Sequence, residues 1–480
     1  MEQKATTDEG KKLSSQMKGT IDRLIEEIRL EGFSPLTLAE QFACAVYILL
    51  SDEQARTLSI PYYFPTIMGD SVEKLKTCLK RCKEDSDAPD FIKQAELFES
   101  EQLLGKIWEL TESSLKEFNP VSLKDRAVLS PVFDYILDRI YRSDRTVFFT
   151  PNTLVDMLME MVDLQDQSSL WDPACGSGSF LVRSAEMAAL KGRELSMSGN
   201  DSNARMIQIA DINAFFHKIP GKWLCLENKD SFLTNRQVQF DYILSNPPVS
   251  AVSGKIPENL AFSVPTKKIH LQFLQLIMEH LSPFGTAAVL INENVLFSGM
   301  RAEREIRRML VEDYGLWAVV SLPAGTFAPY TGAKASALIF GKKPRSERQV
   351  FFYALEQLGY SLDKRGIPIP ENDIPDLLES WKNREELFQE WEAGLAKQAH
   401  TNEFGNRLPE NWGHKRCSFA DRETIRKNEY ILVCRRYGAE EPDDEEPLEK
   451  PARILERLIE LEGRSQELLG QLQEIAKDYE

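Results

Sequence analysis

From Phe148 onward, short apolar runs alternate with stretches of helical periodicity, and few folds accept that alternation. Candidate strands are Leu170-Trp171, Leu195–Gly199, Trp223–Leu226, Tyr242–Leu244, Thr286–Ile291, Trp317–Leu322 and Ser336–Phe340, with Gln349–Leu355 as one more. Between them Leu154–Val162, Ser179–Ala189, Ala204–Phe216, Ile269–Leu281 and Ala302–Glu312 carry helical spacing. Strands that are apolar throughout need helices on both faces, so the reading is an α/β fold around a parallel sheet. A polar, proline-containing stretch follows to about residue 437.

The chain before Phe148 reads as helical from residue 12 to about 142. Met17, Ile21, Leu24 and Ile28 recur at helical spacing, and Glu40 to Leu50 continues as a buried helix after Pro35. Val72–Cys82, Phe91–Leu104 and Val128–Tyr141 add more helix. The expected organisation is a helical domain over 1–142, an α/β domain over 143–437, an acidic linker over 438–450 and a heptad helix over 451–480. The linker rests on Glu440-Glu441-Pro442-Asp443-Asp444-Glu445-Glu446-Pro447. The helix rests on Ile454, Leu458, Leu461, Ser465, Leu468, Leu472, Ile475 and Tyr479, a seam with one polar member. Gly463 and Gly470 each weaken it by about 1 kcal/mol against alanine, so it is expected to lean on a partner surface.

Composition removes several classes. A chain of 480 residues, 42% hydrophobic and 28% charged, is expected to be soluble, globular and divided into two or three domains. Its longest uncharged apolar stretch, Phe42 to Leu50, is half of a membrane span, and the amino terminus has no signal-peptide core. The seven cysteines are scattered and read as reduced thiols in a cytoplasmic protein. Cys78 and Cys82 lie one helical turn apart without a second pair, and His217, His270 and His280 lack metal spacing, so no metal is expected. The net charge of −17 argues against unaided DNA binding, which needs a basic footprint.

The chemistry gathers where strands end. Ser245-Asn246-Pro247-Pro248-Val249 closes the apolar run Phe240–Leu244. Two consecutive prolines remove two donors and fix φ twice, and the residue before a proline is pushed out of the α region. The resulting corner displays a side-chain amide and a carbonyl as acceptors, which suits a substrate carrying an amino group. Upstream, Asp172-Pro173-Ala174-Cys175-Gly176-Ser177-Gly178-Ser179-Phe180 ends a strand and opens a helix. Gly176 and Gly178 let the backbone turn and approach a ligand closely. Asp201 follows the second strand, where acids bind ribose diols, and Asp230 follows the third, where it would accept from an adenine amine. Each acid alone reads as a loop or cap residue; together the four positions mark the ligand edge of an open α/β sheet.

This constellation resembles the adenine-N6 DNA methyltransferases, specifically the modification subunits of type I restriction-modification systems. Phe148-Phe149-Thr150-Pro151 is similar to the family's leading motif, which lies along the methionine part of S-adenosylmethionine. Asp172 through Gly178 is similar to its cofactor loop, Asp201 and Asp230 fall at its ribose and adenine positions, and Asn246-Pro247-Pro248 at its catalytic motif. The likeness runs on through Ala287-Ala288-Val289-Leu290 and Gly325-Thr326-Phe327 to Leu338. It continues more faintly at Leu358–Leu362 and Asn428-Glu429-Tyr430. It implies a Rossmann-like S-adenosylmethionine-dependent methyltransferase sheet, preceded by an α-helical N-terminal domain and followed by a C-terminal helix. It also implies DNA as substrate, a separate specificity subunit, a second copy of this chain and a restriction motor-nuclease subunit as partners, and no membrane.

The adenine amine is a poor nucleophile because its lone pair is delocalised. Asn246 and the Pro247 carbonyl, accepting its two N–H bonds, would favour a pyramidal nitrogen for in-line attack on the sulfonium methyl. The base must leave the duplex at a cost of a few kcal/mol. Family members place an aromatic residue after the second proline to stack on it; this chain has Val249, with Phe262 or Tyr330 as candidate replacements. Arg301, Arg304 and Arg308 share one helical face and read as solvated, with phosphate contact as the rival reading. Lys267-Lys268 reads as a solvated pair, with a DNA channel as the rival. The rival to the enzyme as a whole is a weakened or inactive scaffold subunit that binds S-adenosylmethionine or DNA. Protein-glutamine methyltransferases also use Asn-Pro-Pro but are shorter and lack the helical flanks.

Overall fold

The computed structural model describes residues 13–51, 68–98, 100–120, 122–143, 150–248, 262–328, 331–342, 349–362, 366–439 and 462–463. Among the described residues six α-helices come first: Ser15–Leu30 (α1), Leu36–Ser51 (α2), Met68–Glu84 (α3), Asp90–Gln94 (α4), Glu101–Phe118 (α5) and Ser130–Ser143 (α6). Ser14 opens α1 by accepting from the Met17 N–H, and Met17, Ile21, Leu24 and Ile28 form its buried stripe. Helix α2 is buried on nearly every side, as expected of the central helix of a bundle. The single helix expected over Phe91–Leu104 is instead two, with residues 95–98 and Ser100 irregular between them. The buried amide of Gln41 holds that segment open: its Nε2 donates to the Glu96 carbonyl at 2.7 Å and its Oε1 accepts from the Phe98 N–H at 3.0 Å. Those backbone groups therefore find a partner outside a helix.

The central sheet has nine strands: Ser168–Asp172 (β1), Leu195–Asp201 (β2), Leu224–Asn228 (β3), Phe240–Ser245 (β4), Leu281–Asn292 (β5), Gly315–Ser321 (β6), Ala335–Gly341 (β7), Gln349–Ala354 (β8) and Cys417–Asp421. Leu358–Tyr360 (β9) pairs with Pro368–Asn372 (β10), and Ala399–Thr401 (β11) with Arg407–Pro409 (β12), which makes Cys417–Asp421 β13. The order across the sheet is β3-β2-β1-β4-β5-β7-β6-β8-β13. β1 to β5 are parallel, β7 runs antiparallel between β5 and β6, and β13 runs antiparallel along β8. Helices Asn152–Val162 (α7), Ser179–Leu190 (α8), Ala204–Phe216 (α9), Ile269–His280 (α10), Asn294–Phe297 (α11) and Arg301–Glu312 (α12) complete the crossovers. The polar stretch before residue 437 is structured: Ile374–Lys382 (α13) and Arg384–Lys397 (α14) bury Trp381, Leu387 and Trp391, and Arg422–Lys427 (α15) follows β13. The acidic run and the heptad seam lie outside the described residues, apart from Glu462 and Gly463.

The helical layer and the sheet share one packing helix. Met206, Ile209, Ile212, Phe215 and Phe216 of α9 belong to the same apolar cluster as α1, α2, α5 and α6. Phe216 stacks on Phe133 at 4.6 Å and on Phe42 at 5.7 Å. Arg205 grips Glu40 through two bonds of 2.6 and 2.9 Å, and Arg126 Nε donates to the Phe215 carbonyl at 2.6 Å.

Candidate active site

Parallel pairing of β1 to β4 brings four strand ends to one edge: Asp172 ends β1, Asp201 ends β2, Asp230 follows β3 by two residues and Asn246 follows β4 by one. After β1 the chain turns into α8 through Gly176 and Gly178, both at positive φ (53° and 76°). A side chain on Gly178 would press on Ala210 at 3.0 Å, so the loop needs glycine there for both torsion and space. The turn is braced from α9, where Asn213 Nδ2 donates to the Ser177 carbonyl at 3.0 Å, and from β2, where Asn200 O accepts from the Cys175 N–H at 3.0 Å.

Asp172 is 1% exposed, and its Oδ1 accepts from Ser245 Oγ at 2.7 Å and from the Ala174 N–H at 3.0 Å. Burial pushes its pKa up to about 7 against the pull of those two hydrogen bonds, and nearby Asp201 adds to the rise. The residue thus joins the glycine loop to the last residue of β4. Asp201 accepts from the Gly176 N–H at 3.1 Å and the Asn203 N–H at 2.8 Å, one per oxygen, with its pKa raised by burial. It therefore shapes the loop as well as facing the edge. Asp230 is exposed and caps a short 3-10 turn through the Phe232 N–H at 3.0 Å. Its neighbour Ser231 donates to the Pro173 carbonyl at 2.6 Å, which holds the end of β3 beside the loop.

Asn246 stands between two narrow clefts. One, about 20 Å³, is bounded by Thr150, Asp172, the glycine loop and Phe180; the other, also about 20 Å³, by Leu290, Asn292, Phe327, Thr331 and Lys334. Asn246 Nδ2 donates to Thr150 Oγ1 at 3.2 Å across the first cleft, which leaves Oδ1 as the acceptor end of the amide. Pro247 is buried and Pro248 exposed. Beyond Thr150, Pro151, Ser177 and Ser179 opens a cavity of about 470 Å³ that reaches α6 and the β9–β10 pair.

Phe148, Phe149, Val249 and Tyr330 lie outside the described residues. Phe262 is not available for stacking: it is 9% exposed and packs edge-on against Phe232 in the core under α10. Among the described residues, the aromatic rings brought to the Asn246 clefts are Phe180 on the glycine-loop side and Phe327, from the turn after β6, on the other, and both are buried. Gly325-Thr326-Phe327 was legible only as part of a likeness, because nothing local shows that the turn after β6 reaches across β7 and β5 to the end of β4. Arg308 pairs with Glu305 and Asp313, Arg304 with Glu429, and Lys268 with buried Glu303. His217 bridges Asp134 and Glu186 and is structural, as expected. Among the described residues no cluster of His, Cys, Asp and Glu is placed to hold a metal ion, and no helix is long and apolar enough to cross a membrane.

The N-6 DNA Methylase family model matches residues 124–446. The type I restriction enzyme EcoEI methylase subunit of Escherichia coli is 27% identical over 336 residues, 65% of this chain and 65% of that protein. The type I restriction enzyme HindI methylase subunit of Haemophilus influenzae is 26% identical over 378 residues, 74% of this chain and 78% of that protein. The chain thus spans somewhat less than two thirds of the first of these relatives. In fold it is similar to the type I restriction-modification system methyltransferase subunit from Streptococcus thermophilus, with a TM-score of 0.65 at 18% identity over 88% of this chain and 99% of that one. A chain solved in work on complex assembly and conformational transition of the type I R-M system gives 0.64 at 22% identity over 98% of this chain and 100% of that one.

Proposed function

Because this chain belongs to the N-6 DNA methylase family, we propose that it methylates the N6 amine of adenine in DNA as the modification subunit of a type I restriction-modification system. The observation that carries the reading is Asn246, the one side chain among the described residues shared by the cleft over the glycine loop and the cleft beside Phe327. A cofactor on one side and a base on the other meet at its amide. Asn246 Oδ1 accepts one N–H of the amine and the Pro247 carbonyl the other, which localises the nitrogen lone pair. Positioning supplies the rest, since the nitrogen needs direction more than acid–base help. Phe327, 4% exposed and part of the core, walls the base side of Asn246 with apolar surface rather than offering a free ring face.

The residues fit S-adenosylmethionine by their chemistry: a glycine loop at a helix amino end, a threonine hydroxyl, a ribose-facing acid and an exposed acid by the third strand. When bound, that cofactor supplies a methyl group on a sulfonium. Thr150, Pro151 and the loop of Asp172, Gly176 and Gly178 hold its methionine end. Asp201 takes the ribose with the lone pairs its two backbone bonds leave over, and Asp230 takes the adenine amine. DNA sequence is read by a separate specificity subunit, with a second copy of this chain and a motor-nuclease subunit as further partners; the net charge of −17 supports this dependence.

The test is transfer of labelled methyl to DNA by the chain together with its specificity subunit. Asn246→Ala is expected to lower transfer about a hundredfold or more and to leave cofactor affinity, measured by calorimetry, nearly unchanged. Transfer that survives this substitution overturns the reading. Cofactor binding with no transfer by the unaltered chain favours the scaffold instead.

A further inference from the structure

The same edge of the sheet carries a feature that methyl transfer leaves unused. β5 lines the Phe327 cleft through Ile291 and Asn292, and the chain then passes through α11 and the turn Phe297–Met300 into α12. Phe297 is 49% and Met300 59% exposed on that turn. The turn is held firmly from below. Arg307, 1% exposed, donates to the carbonyls of Val295 at 2.7 Å, Ser298 at 2.9 Å and Tyr430 at 2.7 Å. Burying a guanidinium against three carbonyls is costly, and here it fixes both ends of a surface turn. The segment it grips is itself strained: Glu429 and Tyr430 both adopt left-handed torsions (φ 56° and 59°). Two apolar side chains are thus displayed on a rigid support.

Positive charge surrounds them. Lys268 Nζ reaches Met300 Sδ at 3.4 Å, which places the start of α10 beside the turn. Lys267 and Arg301, at the starts of α10 and α12, are exposed and form no ion pair among the described residues. Arg301 opens the first turn of α12, where a cation opposes the helix dipole, and Lys267 precedes the cap of α10, so neither charge supports its helix. In a chain of net charge −17 they stand out as two exposed cations flanking the Phe297–Met300 turn, which the chain reaches five residues after the cleft residue Asn292.

We propose that Phe297–Met300, with Lys267 and Arg301, seats duplex DNA beside the site of base extrusion. The two cations take flanking phosphates, and the apolar tip packs against the base step that the extruded adenine leaves open. The proposal rests on the methyltransferase reading above. Gly299 offers a clean probe, because a side chain there meets nothing within 4 Å and its φ lies outside the left-handed region.

Binding of a fluorescent duplex to the full chain in complex with its specificity subunit is followed by anisotropy over a salt series. Gly299→Glu, and the double variant Lys267→Glu with Arg301→Glu, are expected to weaken binding about tenfold or more and to flatten the salt slope by about one per lost phosphate contact. Gly299→Lys, of similar bulk, is expected to bind at least as tightly as the unaltered chain, and cofactor titrations are expected to coincide for all. Equal duplex affinity across the set overturns the proposal. So does release of the specificity subunit by the variants, seen by gel filtration without DNA, which would make the face a protein-docking surface. Asn246→Ala, run alongside, is expected to keep duplex binding and lose transfer; if it transfers normally, the methyltransferase reading fails whatever the seating variants do.

Discussion

Asp172 carries a buried charge whose cost varies with pH. A carboxyl that titrates near pH 4 in the unfolded chain and at about 7 in the fold binds its proton more tightly when folded. Stability therefore falls as pH rises from about 4 to about 7, and the whole penalty is present above that. Asn at this position keeps an oxygen for Ser245 and Ala174 and carries no charge. Asp172→Asn is expected to match the unaltered chain near pH 4 and exceed its stability above pH 7, by at most about 4 kcal/mol, in urea titrations across that range. A gap independent of pH would remove burial of charge as its cause. The motif that contains Asp172 was legible in the sequence because glycines and prolines constrain the backbone wherever they occur. The second use of Asp201, on the Gly176 N–H, and the arrival of Phe327 beside Asn246 were not. Both depend on which strand ends are gathered at one edge of the sheet, and no local pattern records that.

Among elements, the strands were legible and their partners were not. Every candidate strand from Leu170 to Leu355 coincides with an observed one. The central strands are apolar along their length because both faces are buried, whereas β2 alternates and the edge strand β3 has no buried residue. β13 escaped notice since Cys417-Ser418-Phe419-Ala420 is too short a run to stand out; its identity comes from pairing with β8. The break between α4 and α5 likewise follows from an amide on another helix, Gln41. Close packing of α8 on β2 gives a prediction of sign. A Cβ on Gly199 would lie 2.5 Å from Leu181 Cδ1, 2.9 Å from Leu226 Cδ2 and 3.1 Å from Cys175 Sγ. Overpacking of this kind typically costs 1–3 kcal/mol, about 2 here. Gly19, inside α1, meets nothing within 4 Å, so alanine there is expected to stabilise by about 1 kcal/mol. Thermal midpoints should move in opposite directions for Gly199→Ala and Gly19→Ala, and a shift of one sign in both would contradict the packing account.

At the scale of the whole molecule, the helices before residue 144 and the sheet meet through α9, whose apolar residues sit in the helical core. A chain truncated to residues 143–480 would uncover Phe215 and Phe216 and strand Arg205 without Glu40. It is expected to associate or to bind an apolar dye; a monodisperse fragment with the midpoint of the full chain would show that the sheet stands without its helical layer. The strand order also bears on how the chain is made. β5 leaves the ribosome well before β7, which must enter between β5 and β6, and β8 stays unpaired on its outer side until β13 follows. An open strand edge invites pairing with a neighbouring chain, and distant pairings form slowly. Synthesis thus passes through a stage in which half a sheet waits, edge exposed, for residues not yet translated, and crowding of nascent chains at that stage sets the yield of native protein.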